Sequence, residues 1–231
     1  MNFFTFAKLG RMLLLSAVLS VAAICWVGCG GNKDASSSGK SEQGAASKKA
    51  DALKDDRDGQ EYRTVKIGDQ VWMAKNLNIE TVGSFCYENN PDNCAKYGRL
   101  YTWAAAMKVC PSGWHLPSRE EWEALVKAAG GTGDYGTMGN AGKALKSTSG
   151  WEKFDGNGTD IYGFSALPGG GRNDGGDFND VGEYGNWWTA SENADFTGNA
   201  YYWHIYHDFE HVALFNDGKD YGFSVRCVQD K

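Results

Sequence analysis

Residues 110–131, CPSGWHLPSREEWEALVKAAGG, constrain the fold of this chain more than any other stretch, because every local signal a helix needs is present there. Ser118 followed three residues later by Glu121 is a capping box. The serine hydroxyl accepts from the Glu121 N–H, and the Glu121 carboxylate accepts from the Ser118 N–H. The spacing predicts a helix that begins at Arg119. Trp122, Leu125, Val126 and Ala129 fall at i, i+3, i+4 and i+7, an apolar stripe about 100° wide, with Glu120, Glu123 and Lys127 facing water. Gly130 and Gly131 supply the stop. An amphipathic helix of this kind needs a core to lie on, so it defines a folded domain. Glu121, already used as a cap, is read as structural rather than catalytic.

The N-terminus reads as an export signal, with Lys8 and Arg11 ahead of a nearly uninterrupted apolar or small run over residues 12–27. The WVGC at positions 26–29 resembles a bacterial lipobox, with Gly28 as the small residue before an acylated Cys29. Trp26 departs from the usual leucine. Residues 12–29 are also just long enough to span a membrane uncleaved, and the cleaved lipoprotein reading is preferred, with residues 1–28 as signal peptide. Residues 1–28 hold two basic and no acidic residues, so their removal leaves 21 Lys+Arg against 29 Asp+Glu, a formal charge of −8. That balance argues against nucleic acid as a partner. Residues 29–60 are Ser, Gly, Ala, Lys and Asp around a single leucine, Leu53. They cannot offset chain entropy by burial and are expected to be a flexible tether. The lipid would anchor the chain to a membrane, at the bacterial outer membrane or cell surface.

Residues 61–231 are expected to be one domain. With Cys29 lipidated, Cys86, Cys94, Cys110 and Cys227 remain, an even number in an oxidising compartment, so two disulfides are favoured over a metal site. Three connectivities are possible in principle. The short separation in CYENNPDNC favours Cys86–Cys94, which leaves Cys110–Cys227. YRTVKIGDQVWMAKNL reads as a hairpin turning at Gly68-Asp69. SFCYENNPDNCAKYG reads as a loop. LYTWAAAMKVC reads as a short helix, with Leu100, Trp103 and Met107 on one face. Between residues 130 and 198 lie 18 of the 31 glycines, which predicts loop-rich structure. Within it AGKALKS is expected to be one helical turn, and YGFSALPGG and NWWTAS broken strands. AYYWHIY, HVALF and YGFSVRCVQ read as an antiparallel meander, with Phe223, Val225 and Cys227 inward and Ser224 and Arg226 on the other face. Strands, two helices, long loops and terminal strands indicate an α+β domain.

Chemistry is mostly absent. Asp155, Asn157 and Asp160 offer oxygens at calcium-like spacing, but Asp160 stands where the loop glycine belongs and no glutamate follows at the twelfth position, so an Asx-rich turn is preferred. His204, His207 and His211 lie near Asp208 and Glu210. On a strand, however, His204 and His207 have opposite parity, so exposed hairpin residues are expected rather than zinc ligands. No phosphate loop, nucleophile elbow or recognisable pair of catalytic carboxylates occurs.

The blocks GDQVWMAKNL, YGRLYTWAAAM, CPSGWHLPSREEW, GKALKSTSGW, YGFSALPGGGR and YGFSVRCV occur in this order from Gly68 to Val228. On them the chain resembles the Fibrobacter succinogenes major paralogous domain family. The resemblance implies a C-type-lectin-like fold similar to that of sulfatase-modifying proteins, with an antiparallel sheet, two flanking helices and a long Gly-rich loop region forming one surface. It defines no activity. Related formylglycine-generating enzymes need a pair of cysteines near the C-terminus for copper; this chain has Cys227 alone. The EPN or QPD tripeptides of calcium-dependent lectins do not occur.

The reading is a surface lipoprotein with a non-catalytic binding module for a carbohydrate or an envelope protein. The alternatives are a sulfatase-modifying-type enzyme and a purely structural envelope module. No cofactor is expected. The ligand site is placed on residues 169–199, where glycines let backbone approach a ligand, Arg172, Asp177 and Asn179 supply hydrogen bonds, and Trp187 or Trp188 supplies stacking area. Strand alternation lets only one of these tryptophans face outward, so their Ala variants are expected to differ.

Overall fold

The computed structural model describes residues 52–133, 139–152, 156–208 and 210–231. The signal, Cys29, the first part of the tether and Asp155 lie outside the described residues. Residues 52–60, expected to be part of the tether, belong to the fold. β1 (Ala52–Lys54) pairs antiparallel with β2 (Glu61–Ile67), Leu53 opposite Tyr62. Leu53 packs against the core. The turn that follows is closed by buried Asp55, which accepts from Arg57 Nε (2.8 Å) and Nη2 (2.6 Å), while the same Nη2 donates to Val109 O (2.9 Å). One leucine and one ion pair suffice because β2, already held by β3 on one side, offers β1 its open edge.

The hairpin forms as expected. β2 runs into β3 (Gln70–Met73) with Ile67 opposite Gln70, and Gly68 at φ 59° takes the left-handed position the turn demands. The expected loop after it is more regular. β4 (Ser84–Phe85) pairs with β5 (Leu100–Tyr101), and between them α1 (Pro91–Tyr97) starts on Asn90, whose side chain accepts from the Asp92 N–H (3.0 Å). Cys86 and Cys94 are bonded across this segment. Asn-Pro at N-cap and first position is a helix start that the density of polar residues obscures.

α2 (Trp103–Val109) buries Ala106 and Val109. Met107 is 43% exposed and Leu100 belongs to β5, so the face read from the sequence is not the buried one. β6 (Trp114–His115) leads into α3 (Arg119–Ala128), where Ser118 Oγ accepts from the Glu121 N–H (3.1 Å) and Glu121 Oε2 from the Ser118 N–H (2.9 Å). Trp122, Leu125, Val126 and Ala129 are all buried. α4 (Ala141–Leu145) is the expected helical turn. β7 (Gly169–Arg172), β8 (Phe178–Val181), β9 (Tyr184–Glu192), β10 (Asn199–Tyr206), β11 (Val212–Gly218) and β12 (Val228–Gln229) follow.

Two five-stranded sheets result, ordered β1-β2-β3-β12-β6 and β11-β10-β9-β7-β8. All their pairings are antiparallel except β7 with β9, which is parallel. The domain is therefore α+β. The terminal segment is not the third strand of a meander. It bridges β5 at Tyr101–Phe223, β7 at Arg172–Gly222 and β9 at Trp187–Ser224, then enters the first sheet as β12 between β3 and β6. Residues 222–228 are all buried, so both faces are covered, and Ser224 and Arg226 are as enclosed as Phe223 and Val225. Cys227 is bonded to Cys110, Cα to Cα 5.9 Å, tying this segment to the end of α2.

The core has two clusters. One gathers Trp72, Trp122, Leu125, Val126, Phe164, Trp187, Trp203 and Ile205; the other Tyr62, Met73, Leu77, Tyr101, Val109, Trp188, Phe223 and Val225. β9 lies between them and sends Trp187 into the first and Trp188 into the second.

Candidate functional site

Strand alternation determines which side chains β9, β10 and β11 present. Trp187, Trp203, Ile205, Val212 and Leu214 face the first core cluster. The opposite face carries Tyr184, Asn186 and Trp188 on β9, then Tyr202, His204 and Tyr206 on β10, then Ala213, Phe215 and Asp217 on β11, held in register by the pairs Tyr202–Trp188, His204–Asn186, His204–Ala213 and Tyr202–Phe215. Part of this face is walled by β7, β8 and the terminal segment. The wall leaves a cleft of about 200 Å³ whose lining includes Arg172, Asn179, Tyr184, Tyr202, His204 and Asp217. Gly171 sits on the wall because a Cβ there would meet Phe223 Cε1 at 2.9 Å.

Asn186 and His204 are fixed in the cleft by local bonds. Asn186 Nδ2 donates to Gly170 O (3.1 Å), which orients its carbonyl oxygen toward His204 Nδ1 at 2.5 Å. That oxygen can only accept, so Nδ1 carries the proton and Nε2 is left as an acceptor. His204 is 6% exposed, and its Nε2 has no hydrogen-bond partner among the described residues. Burial, and then the nearby His211, depress its pKa to about 4. Asp217 is shifted up by burial and opposed by the Tyr202 hydroxyl, with the Asp174 charge adding to the rise. Asp180, at the exposed rim, is raised by the desolvation it still meets and by Glu183. The Tyr202 hydroxyl is raised by burial and by Asp217. Arg172 stands with its guanidinium over the Phe85 ring, 4.2 Å from the centroid.

Of the residues expected to bind a ligand, Arg172 and Asn179 line this cleft. Asp177 does not. Its carboxylate accepts from Asn173 Nδ2 (3.3 Å) and its N–H donates to Asn173 Oδ1 (2.8 Å), so it closes the turn between β7 and β8. Trp187 and Trp188 are both 0% exposed. Trp187 Nε1 donates to Asn76 Oδ1 (2.9 Å) and Trp188 Nε1 to Tyr101 O (2.7 Å). Alternation turns them to opposite faces, but both faces of β9 are covered there, so neither reaches a ligand. His204, expected to be exposed, is buried for the same reason. The sequence reading missed Tyr184, Asn186, Tyr202, His204, Asp217, Tyr221 and Phe223. The available signal was the i, i+2 row Tyr202, His204, Tyr206, polar-tipped aromatics on a single strand face.

Other candidates carry less. Asn157 Oδ1 accepts from the Trp151 N–H (3.1 Å), and Asp160 accepts from the N–H and hydroxyl of Ser165 (2.7 and 2.6 Å), so both oxygens serve turns. Among the described residues no three His, Cys, Asp or Glu side chains converge as metal ligands. All four described cysteines are in disulfides. A larger groove of about 880 Å³ runs past Arg57, Phe85, Pro91 and Arg99. Its cations are already engaged, Arg57 by Asp55 and Arg99 by Glu80 (2.9 Å), and it lacks the cluster of aromatic rings that lines the smaller cleft.

No match to the chain was found among curated proteins or among solved structures. The family model of the Fibrobacter succinogenes major domain matches residues 65–229, well over half the chain and the whole span from the first hairpin to β12. The chain belongs to the Fibrobacter succinogenes major domain family.

Proposed function

We propose that this protein is a non-catalytic recognition module, carried on a lipid anchor at the bacterial outer membrane or cell surface, that binds an envelope ligand in the cleft on the β9–β11 face. The observation that carries the reading is the convergence, around one cleft, of the rings of Tyr184, Tyr202 and Tyr221 with Arg172, Asn179 and Asp217. Ligand sites are concave and largely aromatic, with few placed polar groups, and this is the one such surface among those described above. A C-type-lectin-like architecture is part of the proposal, supported by the first and last strands sharing one sheet. The anchor rests on the apolar run that ends at Gly28 and on Cys29.

Retention of the full chain on immobilised envelope polysaccharide tests the binding function. Arg172→Ala is expected to weaken retention at least about tenfold while changing unfolding free energy by less than about 1 kcal/mol. Unchanged retention would remove the cleft from consideration. Mass spectrometry of the mature N-terminus tests the anchor: acylated Cys29 is expected, and an intact Met1 would contradict it.

A further inference from the structure

We propose that the Cys86–Cys94 disulfide is a thiol–disulfide exchange site, reached by a low-molecular-weight thiol through the larger groove, and that its opening loosens the wall on which Arg172 stands. The exchange chemistry is independent of what the cleft binds.

Access distinguishes this bond from the other disulfide. Cys86 is half-buried, and both Cys86 and Cys94 line the groove of about 880 Å³ that runs past Arg57, Phe85 and Arg99. That volume falls within the roughly 300–1,000 Å³ of small-molecule sites, so the groove admits a small thiol. Cys94 is 5% exposed, which directs attack to Cys86 Sγ and makes Cys94 the leaving group. Cys227, by contrast, is 0% exposed, its partner Cys110 packs against the second core cluster, and neither lines the groove. Exchange needs a thiolate to reach a sulfur, so the two bonds react at different rates.

The chain closed by the bond is held in a strained turn. Glu88 and Asn89 have φ of 53° and 54°, two consecutive non-glycine residues in the left-handed region. Asparagine tolerates that region and glutamate disfavours it, so the surroundings must hold the pair there. The disulfide fixes both ends of this turn. Once it opens, residues 87–93 relax while the flanks stay tied. Tyr97 O still accepts from Asn76 Nδ2 (2.8 Å), and the Arg99 N–H still donates to Leu77 O (3.0 Å).

The same segment is the partition between groove and cleft. Phe85, just before Cys86, lines the groove and carries the Arg172 guanidinium over its ring at 4.2 Å. Tyr87, just after it, packs against Phe178 of β8 with ring centroids 5.3 Å apart. Arg172 and Asn179, the neighbour of Phe178, line the cleft. Opening the bond is thereby transmitted to the side chains that the cleft presents.

In the exchange a thiolate attacks Cys86 Sγ, the Sγ–Sγ bond breaks, and its electron pair goes to Cys94, which takes up a proton. With a dithiol, the reagent's second thiolate then attacks its own sulfur in the mixed disulfide and displaces Cys86, which is protonated in turn. The reagent is oxidised to a disulfide and the protein disulfide is reduced to a pair of thiols. A monothiol leaves a mixed disulfide on Cys86 after the first step.

The test uses the full chain with its free thiols blocked. Graded dithiothreitol, quenched by alkylation and mapped by mass spectrometry, is expected to open Cys86–Cys94 at least about tenfold faster than Cys110–Cys227. Glutathione is expected to leave its mixed disulfide on Cys86 and the alkylated thiol on Cys94. Ala95→Trp, at an exposed position in the groove lining, is expected to slow opening at least about tenfold with thermal unfolding unchanged. Hydrogen–deuterium exchange of the chain opened only at this bond is expected to quicken in residues 171–173 and 178–181 as well as 86–94. Equal rates for the two disulfides, earlier opening of Cys110–Cys227, or glutathione on Cys94 would overturn the exchange site. Opening undiminished in Ala95→Trp would overturn the groove as its route; should that variant not fold, the mapped rates and the glutathione position decide alone. Unchanged exchange in residues 171–181 after opening, or loss of protection throughout the domain, would overturn the local link to Arg172.

Discussion

Arg226 is 0% exposed and bonds mainly to carbonyl oxygens, Phe164 O and Ser165 O (2.8 Å), with Nε donating to Asn76 Oδ1 (2.7 Å). Burial pulls its pKa down to about 9, against the Asp160 charge, and it stays protonated at neutral pH. Asn76 also accepts from Trp187, so one amide oxygen ties the terminal segment to β9. Arg226→Met would leave these acceptors unmade, and a loss of roughly 2–4 kcal/mol is expected in denaturant unfolding. Trp187→Ala and Trp188→Ala are both expected to cost about 3–5 kcal/mol, and a cost below about 1 kcal/mol for either would contradict the burial described here. The pH dependence of stability follows from the histidines. His204 has a folded pKa below its unfolded value, so the unfolded chain takes up the extra proton between pH 6.5 and about 4. Stability therefore falls as pH drops through that window, by up to about 3 kcal/mol from this residue. His211, also depressed, acts in the same direction. His115 acts oppositely: burial lowers its pKa, but hydrogen bonds to Asp230 (2.6 Å) and Glu121 (3.0 Å) and their charges raise it further. Its contribution is full below pH 6.5 and is lost as pH rises through its folded pKa. Unfolding at pH 4.5 and 7 in the native chain and His204→Phe isolates the His204 term; an equal pH dependence in the two would contradict it.

At the scale of elements, α3 was legible because cap, stripe and stop all lie between Ser118 and Gly131 and no distant contact opposes them. Ser118→Ala should cost about 1 kcal/mol. The hairpin at Gly68 and both disulfides were legible for similar reasons, short spacing and simple arithmetic. The terminal segment was not. Alternation identifies a face only when water lies on the other, and in FSVRCV every side chain is enclosed, so period two carries no inside and outside. The same failure put one tryptophan of NWW at the surface and left His204 exposed in expectation. The proposed site was legible only in its loop half, Arg172 and Asn179, because the sheet half depends on which strand lies beside β9, and the parallel β7–β9 contact has no local signature. The disulfides should differ in worth. Opening Cys110–Cys227, separated by 117 residues, is expected to cost about 4–5 kcal/mol in the entropy treatment, against about 2–3 for Cys86–Cys94, separated by 8. Thermal unfolding of Cys110→Ser and Cys86→Ser in the free-thiol-blocked chain checks the order.

For the whole molecule, the two sheets share a core through β9 and the terminal segment, while the β9–β11 face carries the cleft proposed as the ligand site. β1 is part of the fold, so a chain beginning at residue 61 should unfold at lower denaturant than one beginning at 47, having lost the Leu53 packing and the Asp55–Arg57–Val109 tie. The central claim is that ligand binding occurs on that sheet face. It is tested most directly by hydrogen–deuterium exchange of the full chain with and without a saturating saccharide that binds. Protection is expected in residues 171–173, 184–186, 202–204 and 221–223. Protection confined to residues 57–60 and 78–99 of the larger groove, or none at saturation, would contradict it.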